Sequence, residues 1–155
     1  MMYQGNQNRR NETAALRPGY TQVKHTALNE ENYVALAEKA IDMVIAAGTD
    51  QRGRVNVVST SKLRNLLSMT SDIYNEVVNQ REDSLSSEMK GRINYLKIRF
   101  IYESGRDKAV KDLFECGDIK AHIDDIGDSR KQYILFSRYM ESLVAFRKFK
   151  VDRDE

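Results

Sequence analysis

The chain has 155 residues with 41% hydrophobic and 31% charged side chains, one proline and no tryptophan, so it suits one compact domain with an appendage and favours long helices over an all-β fold. A single cysteine excludes an internal disulfide, and no apolar run approaches the roughly 18 residues of a membrane span, so we expect a cytoplasmic protein. A formal net charge of +2 argues against a protein that coats DNA by bulk charge.

The first 27 residues are predicted to be a disordered, basic polar arm, because they are rich in Asn, Gln and Arg and lack apolar periodicity. Both a solubilising tail and an arm that touches RNA fit this composition. Residues 28–150 are predicted to form one helical domain, and residues 151–155 a frayed tail. The first helix is predicted from Glu30 to Ala47, with Asn29 as its cap and Gly48 at its end.

The stretch from Thr49 to Ser59 is the least regular part of the predicted domain. Gly53 stands there between two arginines, and such a loop can either approach phosphates or serve as an ordinary connection. The second helix is predicted to begin at Ser59 to Ser61 and to reach about Asn79, because its apolar residues keep a 3.6-residue period.

The third predicted helix carries apolar residues on two sides. It runs from Leu85 to Ser104, with Ser84 as cap and Gly105 as stop. One face holds Met89, Ile93, Leu96 and Phe100, and nearly the opposite side holds Tyr95, Ile98 and Tyr102. A helix apolar on two faces is typical of a core, so we expect this one to be packed from both sides and to organise the fold.

Three further helices complete the prediction. Asp107 caps a short helix from Lys108 to Cys116, a second short helix covers Ile119 to Ile126, and Asp128 or Ser129 caps a last helix that reaches about Phe149. The predicted fold class is therefore all-α, a compact bundle of about five to six helices with a disordered N-terminal arm.

Side chains suited to catalysis are scarce. Neither His25 nor His122 has a sequence neighbour that would make it a base, and a satisfied surface histidine is the expected state of both. Cys116 stands next to Glu115 and close to Asp118, whose charges disfavour a thiolate. The sequence therefore predicts no catalytic residue and no enzyme activity.

One group of carboxylates invites a metal interpretation, but its spacing matches neither the calcium-loop nor a zinc pattern. The group consists of Asp118, Asp124, Asp125 and Asp128. Helix capping explains two of the four, so the sequence predicts no metal ligand and no cofactor. A metal-dependent nuclease built on these carboxylates is the weakest of three functional hypotheses.

Basic residues alternate with aromatic ones from the third helix into the short helix that follows it, and again in the last helix. The first group is Lys97, Arg99, Phe100, Tyr102, Arg106, Lys108 and Lys111, and the second is Arg138, Tyr139, Arg147 and Lys148. Such a surface can follow a phosphate backbone without reading bases, as a non-catalytic RNA-binding protein would, but the composition alone favours solvated helix faces. Solvated helix faces on a protein–protein adaptor explain the same composition.

Three blocks carry a family resemblance: TSKLRNLLSMTSDIYNEV, INYLKIRFIYESGRDKAVKDLF and YILFSRYMESLVAFRKF, in this order. They resemble the Csm-type small subunit of type III-A CRISPR–Cas interference complexes and cover most of residues 59–149. The resemblance implies an all-α antiviral subunit without catalytic activity, whose copies stack as a filament along guide RNA paired to target RNA. Its implied protein partners are the ribonuclease backbone subunit, the large polymerase-like subunit and the head-end subunit.

The resemblance also implies which basic residues contact RNA. Carried over position by position, they are Lys62, Arg64, Lys97, Arg99, Arg106 and Arg138. Lys97 and Arg99 lie in different seams of one helix, so contact with a neighbouring subunit or with an internal carboxylate such as Glu103 or Glu141 stays open for either.

Overall fold

A computed structural model describes residues 24–151, and within that range the chain forms six helices and no strand. They are α1 (Tyr33–Gly48), α2 (Thr60–Val78), α3 (Ser87–Arg106), α4 (Lys108–Cys116), α5 (Ile119–Ile126) and α6 (Arg130–Lys150). The predicted all-α class is confirmed. No helix in this range combines the length and the apolar character that crossing a membrane requires. Most of the predicted arm, residues 1–23, and the tail at 152–155 lie outside the described residues.

Serine side chains begin the three long helices of the bundle. Ser59, Ser86 and Ser129 each accept a hydrogen bond from the backbone N–H three residues further on, at 3.1–3.2 Å. The predicted cap of α3, Ser84, is wrong: it forms an isolated backbone bridge with Ser129, and Leu85 N–H donates to the Asp128 carbonyl at 2.7 Å. The α2–α3 connection is thereby tied to the α5–α6 connection.

The predicted stop at Gly105 is also wrong, because α3 continues through it to Arg106. Asp107 ends the helix instead, with an extended backbone at φ −137° and ψ 115°. Its carboxylate then accepts the Ala109 N–H at 2.9 Å and caps α4. One residue therefore separates the two helices.

The centre of the fold is α6, against which both α1 and α2 pack. Within α6 the rings of Tyr133, Phe136 and Tyr139 are almost completely buried, whereas Phe149 near its end is 80% exposed. Each buried tyrosine donates its hydroxyl to a backbone carbonyl: Tyr133 to Thr70 at 2.6 Å and Tyr139 to Gly117 at 2.7 Å. These bonds join α6 to α2 and to the α4–α5 junction, and they spare the core two unpaired hydroxyls.

The prediction that α3 is packed from both sides is wrong. Its first face is buried, with Phe100 fully enclosed and its ring centroid 6.0 Å from that of Phe114. The opposite face is open, since Tyr95 and Tyr102 are 63% and 51% exposed. We call this face the α3 stripe, which comprises Tyr95, Ile98, Ile101 and Tyr102. Helices α2, α4 and α5 cover only the other side of α3.

Candidate nucleic-acid interface

A groove of about 310 Å³ lies between α2 and α3, at the end where α3 meets α4. We call it the α2–α3 groove, and its lining residues are Lys62, Asn65, Leu66, Met69, Arg99, Glu103 and Val110. Two of the six predicted RNA-binding residues, Lys62 and Arg99, thus meet in one groove although they come from different helices.

Lys62 stands in the first turn of α2 and reaches across to Asp107 between α3 and α4, with which it forms an ion pair. The hydrogen bond from the Lys62 ammonium holds the pKa of Asp107 below its ordinary value. About half of the Lys62 side chain stays exposed, so a phosphate can approach its ammonium from solvent.

Arg99 and Arg106 both lie close to one exposed ring, that of Tyr102. Each guanidinium carbon is 5.3 Å from the centroid of Tyr102, a distance at which a cation is attracted to the π face. Both also share Glu103: its Oε1 lies 3.3 Å from Nη2 of Arg99 and 4.0 Å from Nη1 of Arg106. The C-terminal end of α3 therefore presents two positive charges next to the exposed ring of Tyr102.

The other three predicted residues lie elsewhere. Lys97 points toward α5 and pairs with Asp124, which also accepts from Lys120, and these two ammonium groups lower the pKa of Asp124. Lys97 thus has the internal carboxylate partner that the sequence left open. Arg64 and Arg138 are exposed and form no ion pair within residues 24–151.

Two other arginines, Arg147 and Arg54, have partners within the protein. Arg147 is not on the basic surface, because it is 2% exposed and its Nε donates to the buried carbonyl of Val58 at 3.0 Å. In the loop before α2, Asp50 accepts from the side chain of Arg54 and from its N–H, both at 2.9 Å. That arginine is therefore partly committed to its own loop.

A family model described as Csm2 type III-A matches residues 30–153, which contain the whole α2–α3 groove. The chain belongs to this Csm2 family. The resemblance inferred from the three sequence blocks is thereby confirmed.

Curated relatives agree with the Csm2 assignment. The chain is 38% identical over 127 residues to the CRISPR system Cms protein Csm2 of Streptococcus thermophilus, covering 82% of this chain and 98% of the relative. It is 32% identical over 126 residues to the protein of the same name from Mycobacterium tuberculosis (strain CDC 1551 / Oshkosh), covering 81% and 97%. The namesake from Enterococcus italicus is 37% identical over 111 residues, covering 64% and 76%.

The fold of this chain also assembles a cluster that its sequence did not reveal. His25 donates from Nδ1 to Asp118 and from Nε2 to Asp125, each at 2.6 Å, and the hydrogen bond to Asp118 contributes most to raising the pKa of His25. No sequence neighbour pairs with this histidine, as expected, and both of its partners come from a distant part of the chain. Both carboxylates belong to the α4–α5 region, 93 and 100 residues further along the chain.

His122 completes this cluster from α5. Its ring is 4% exposed, its centroid lies 5.3 Å from that of His25, and burial lowers its pKa. Its Nδ1 is buried without a hydrogen-bond partner, so the expectation of a satisfied surface histidine, which His25 meets, is wrong for His122. A sequence signal did exist, since these are the only two histidines in the chain and one of them is three residues from a carboxylate, Asp125.

Proposed function

We propose that this chain is the non-catalytic, RNA-binding small subunit of a type III-A CRISPR effector complex in the cytoplasm. In this proposal, several copies stack along the duplex of guide RNA and target RNA and contact the ribonuclease backbone, large polymerase-like and head-end subunits. Membership of the Csm2 family and the names of the curated relatives support the choice of complex.

The observation that carries RNA binding is that Lys62 and Arg99 line the α2–α3 groove together. Arg106 lies close by, 4.0 Å from the groove residue Glu103. Their carboxylate partners do not prevent phosphate binding, because exposed ion pairs contribute only about 0–1 kcal/mol and exchange easily. The arginines can offer two parallel N–H donors to a phosphate, while Lys62 acts as a point charge. Such contacts follow a backbone and leave sequence reading to base pairing.

The α3 stripe supports the part of the proposal that concerns neighbouring subunits. Four large apolar or aromatic side chains exposed together on one helix face are typical of protein contact surfaces. The same observation favours the second candidate function, a helical adaptor that binds proteins without touching RNA. Both candidate functions use the α3 stripe to bind proteins. They differ in whether the neighbouring Arg99 and Arg106 bind RNA, so RNA binding is the property that separates them.

The deciding experiment is RNA binding at several salt concentrations, with a duplex of guide and target length. The test variant combines Lys62→Ala, Arg99→Ala and Arg106→Ala. The matched control combines Arg81→Ala, Lys90→Ala and Lys131→Ala, which removes the same charge from exposed residues outside the groove. Lys90 lies nine residues before Arg99, about 14 Å along the helix.

We expect the groove variant to bind more weakly to unrelated sequences alike, and its salt slope to fall by roughly one unit per lost phosphate contact. The control should keep the wild-type slope. An equal loss of RNA affinity in both variants would mean that only net charge matters. Unchanged affinity in the folded groove variant would favour the adaptor function. In the same samples with magnesium or manganese, labelled RNA should stay intact; cleavage abolished by Asp124→Ala would instead support a nuclease.

A further inference from the structure

The only two histidines of the chain lie together, although 96 residues separate them in the sequence. His25, His122 and Asp125 each direct one potential ligand atom into a common space, where these atoms lie within 4.8 Å of one another. Two imidazoles and a carboxylate converging on one point form a donor set that borderline metal ions prefer.

The spacing within α5 suits a pair of metal ligands. His122 and Asp125 are three residues apart, which places their side chains on the same face of a helix. Helical metal sites use this interval for a histidine and a carboxylate on one helix. The third ligand, His25, comes from the segment before α1 and contacts Asp125 through Nε2 at 2.6 Å.

The buried state of His122 is a second, independent observation. Only 4% of the residue is exposed, yet Nδ1 has no hydrogen-bond partner, and buried polar groups without one are rare and costly. A cavity of about 280 Å³ adjoins the ring and is also lined by Lys24, Asp118 and Tyr139. There is therefore room beside the cluster for a bound ion and a water ligand.

Asp118 has the position of an orienting carboxylate. It accepts from Nδ1 of His25, while Nε2 of the same ring faces Asp125. Histidine ligands of metals commonly donate their second N–H to a carboxylate, which fixes the ring and raises its basicity. Asp118 can therefore hold His25 in place while Nε2 and the carboxylate of Asp125 serve as ligands.

We propose that His25, His122 and Asp125 form a site for a divalent transition metal, best matched by Zn²⁺, with Asp118 as its positioning residue. Zinc bonds of about 2.0–2.1 Å in tetrahedral geometry place neighbouring ligand atoms roughly 3.3 Å apart. The Nε2 to Asp125 distance of 2.6 Å then opens slightly, and the wider separations close by side-chain rotation. The metal ties the segment before α1 to α5, independently of RNA binding.

Isothermal titration of the full, tag-free chain with ZnCl₂ after chelator treatment tests the site. Wild type should bind one equivalent, and MgCl₂ should give no comparable signal, because magnesium prefers an all-oxygen site. His25→Ala and Asp125→Asn should each weaken zinc binding at least tenfold, and Asp118→Asn about 10–100-fold. Asp124→Asn, which alters the adjacent carboxylate of the same helix, should leave it unchanged.

Cobalt provides a readout that a purely structural role would not produce. CoCl₂ added to wild type should give the intense visible absorption of a low-coordinate site with nitrogen ligands, and His25→Ala should lose it. His25 is exposed, so this variant keeps its core, and far-UV circular dichroism checks its helices. Absence of binding to wild type, or equal binding by wild type, His25→Ala and Asp125→Asn, overturns the proposal and leaves a histidine held by two carboxylates.

Discussion

Arg147 provides the sharpest test of which basic residues are structural. The side chain is buried within α6, and Arg147→Met keeps most of its aliphatic stem while removing the guanidinium. The Nε bond to Val58 at 3.0 Å is charge-assisted, and such bonds contribute about 1.5–3 kcal/mol. A second bond, from Nη1 to the Val151 carbonyl, is long at 3.4 Å and adds little. We expect the free energy of unfolding to fall by about 2–3 kcal/mol.

Urea denaturation followed by circular dichroism measures this loss. Arg138→Met is the matched control, because it makes the same change on the exposed side of the same helix and should stay within about 0.5 kcal/mol of wild type. At a temperature where Arg147→Met and wild type are both folded, the variant should retain wild-type RNA affinity. A loss below about 0.5 kcal/mol together with weaker RNA binding would refute the assignment of Arg147 to the core.

Two further predictions concern the bundle itself. Phe100→Ala should cost about 3–5 kcal/mol, because the ring is fully buried, whereas Tyr95→Ala on the α3 stripe should cost far less; similar losses in chemical denaturation would contradict the one-sided burial of α3. The Lys62–Asp107 pair should contribute stability above the ordinary carboxyl pKa near 4, and this contribution should disappear as pH falls through the lowered pKa of Asp107. The acid side of a stability–pH curve should therefore be flatter for Asp107→Asn, and an unchanged curve would argue against the pair.

Local sequence signals predicted the helices well where caps and glycines were unambiguous. The bounds of α4 and α5 match the prediction, because Asp107, Gly117 and Gly127 punctuate the chain there. The start of α3 was misplaced by two residues, since Ser84 and Ser86 are equally good caps and only the tertiary bridge to Ser129 distinguishes them.

Periodicity could not predict what covers each face of α3. It identified both apolar faces correctly, but the spacing of Tyr95 and Tyr102 is the same whether a helix of the same chain or a separate molecule packs on them. In the same way, the pairing of His25 with Asp118 and Asp125 depends on a contact across about 100 residues, which no local pattern encodes. The α2–α3 groove was predicted only in part. The family resemblance named six basic residues, but only the fold shows which of them lie together in the groove.

Asp107 stabilises the fold but should weaken the binding of phosphate. Its carboxylate caps α4, yet it also pairs a negative charge with Lys62, a residue of the groove that we propose to bind a polyanion. Replacing it with alanine removes a cap worth about 1 kcal/mol and at the same time frees an ammonium for phosphate. Substitutions here should therefore yield proteins that are less stable but bind RNA more tightly, a combination that a screen for lost binding would overlook.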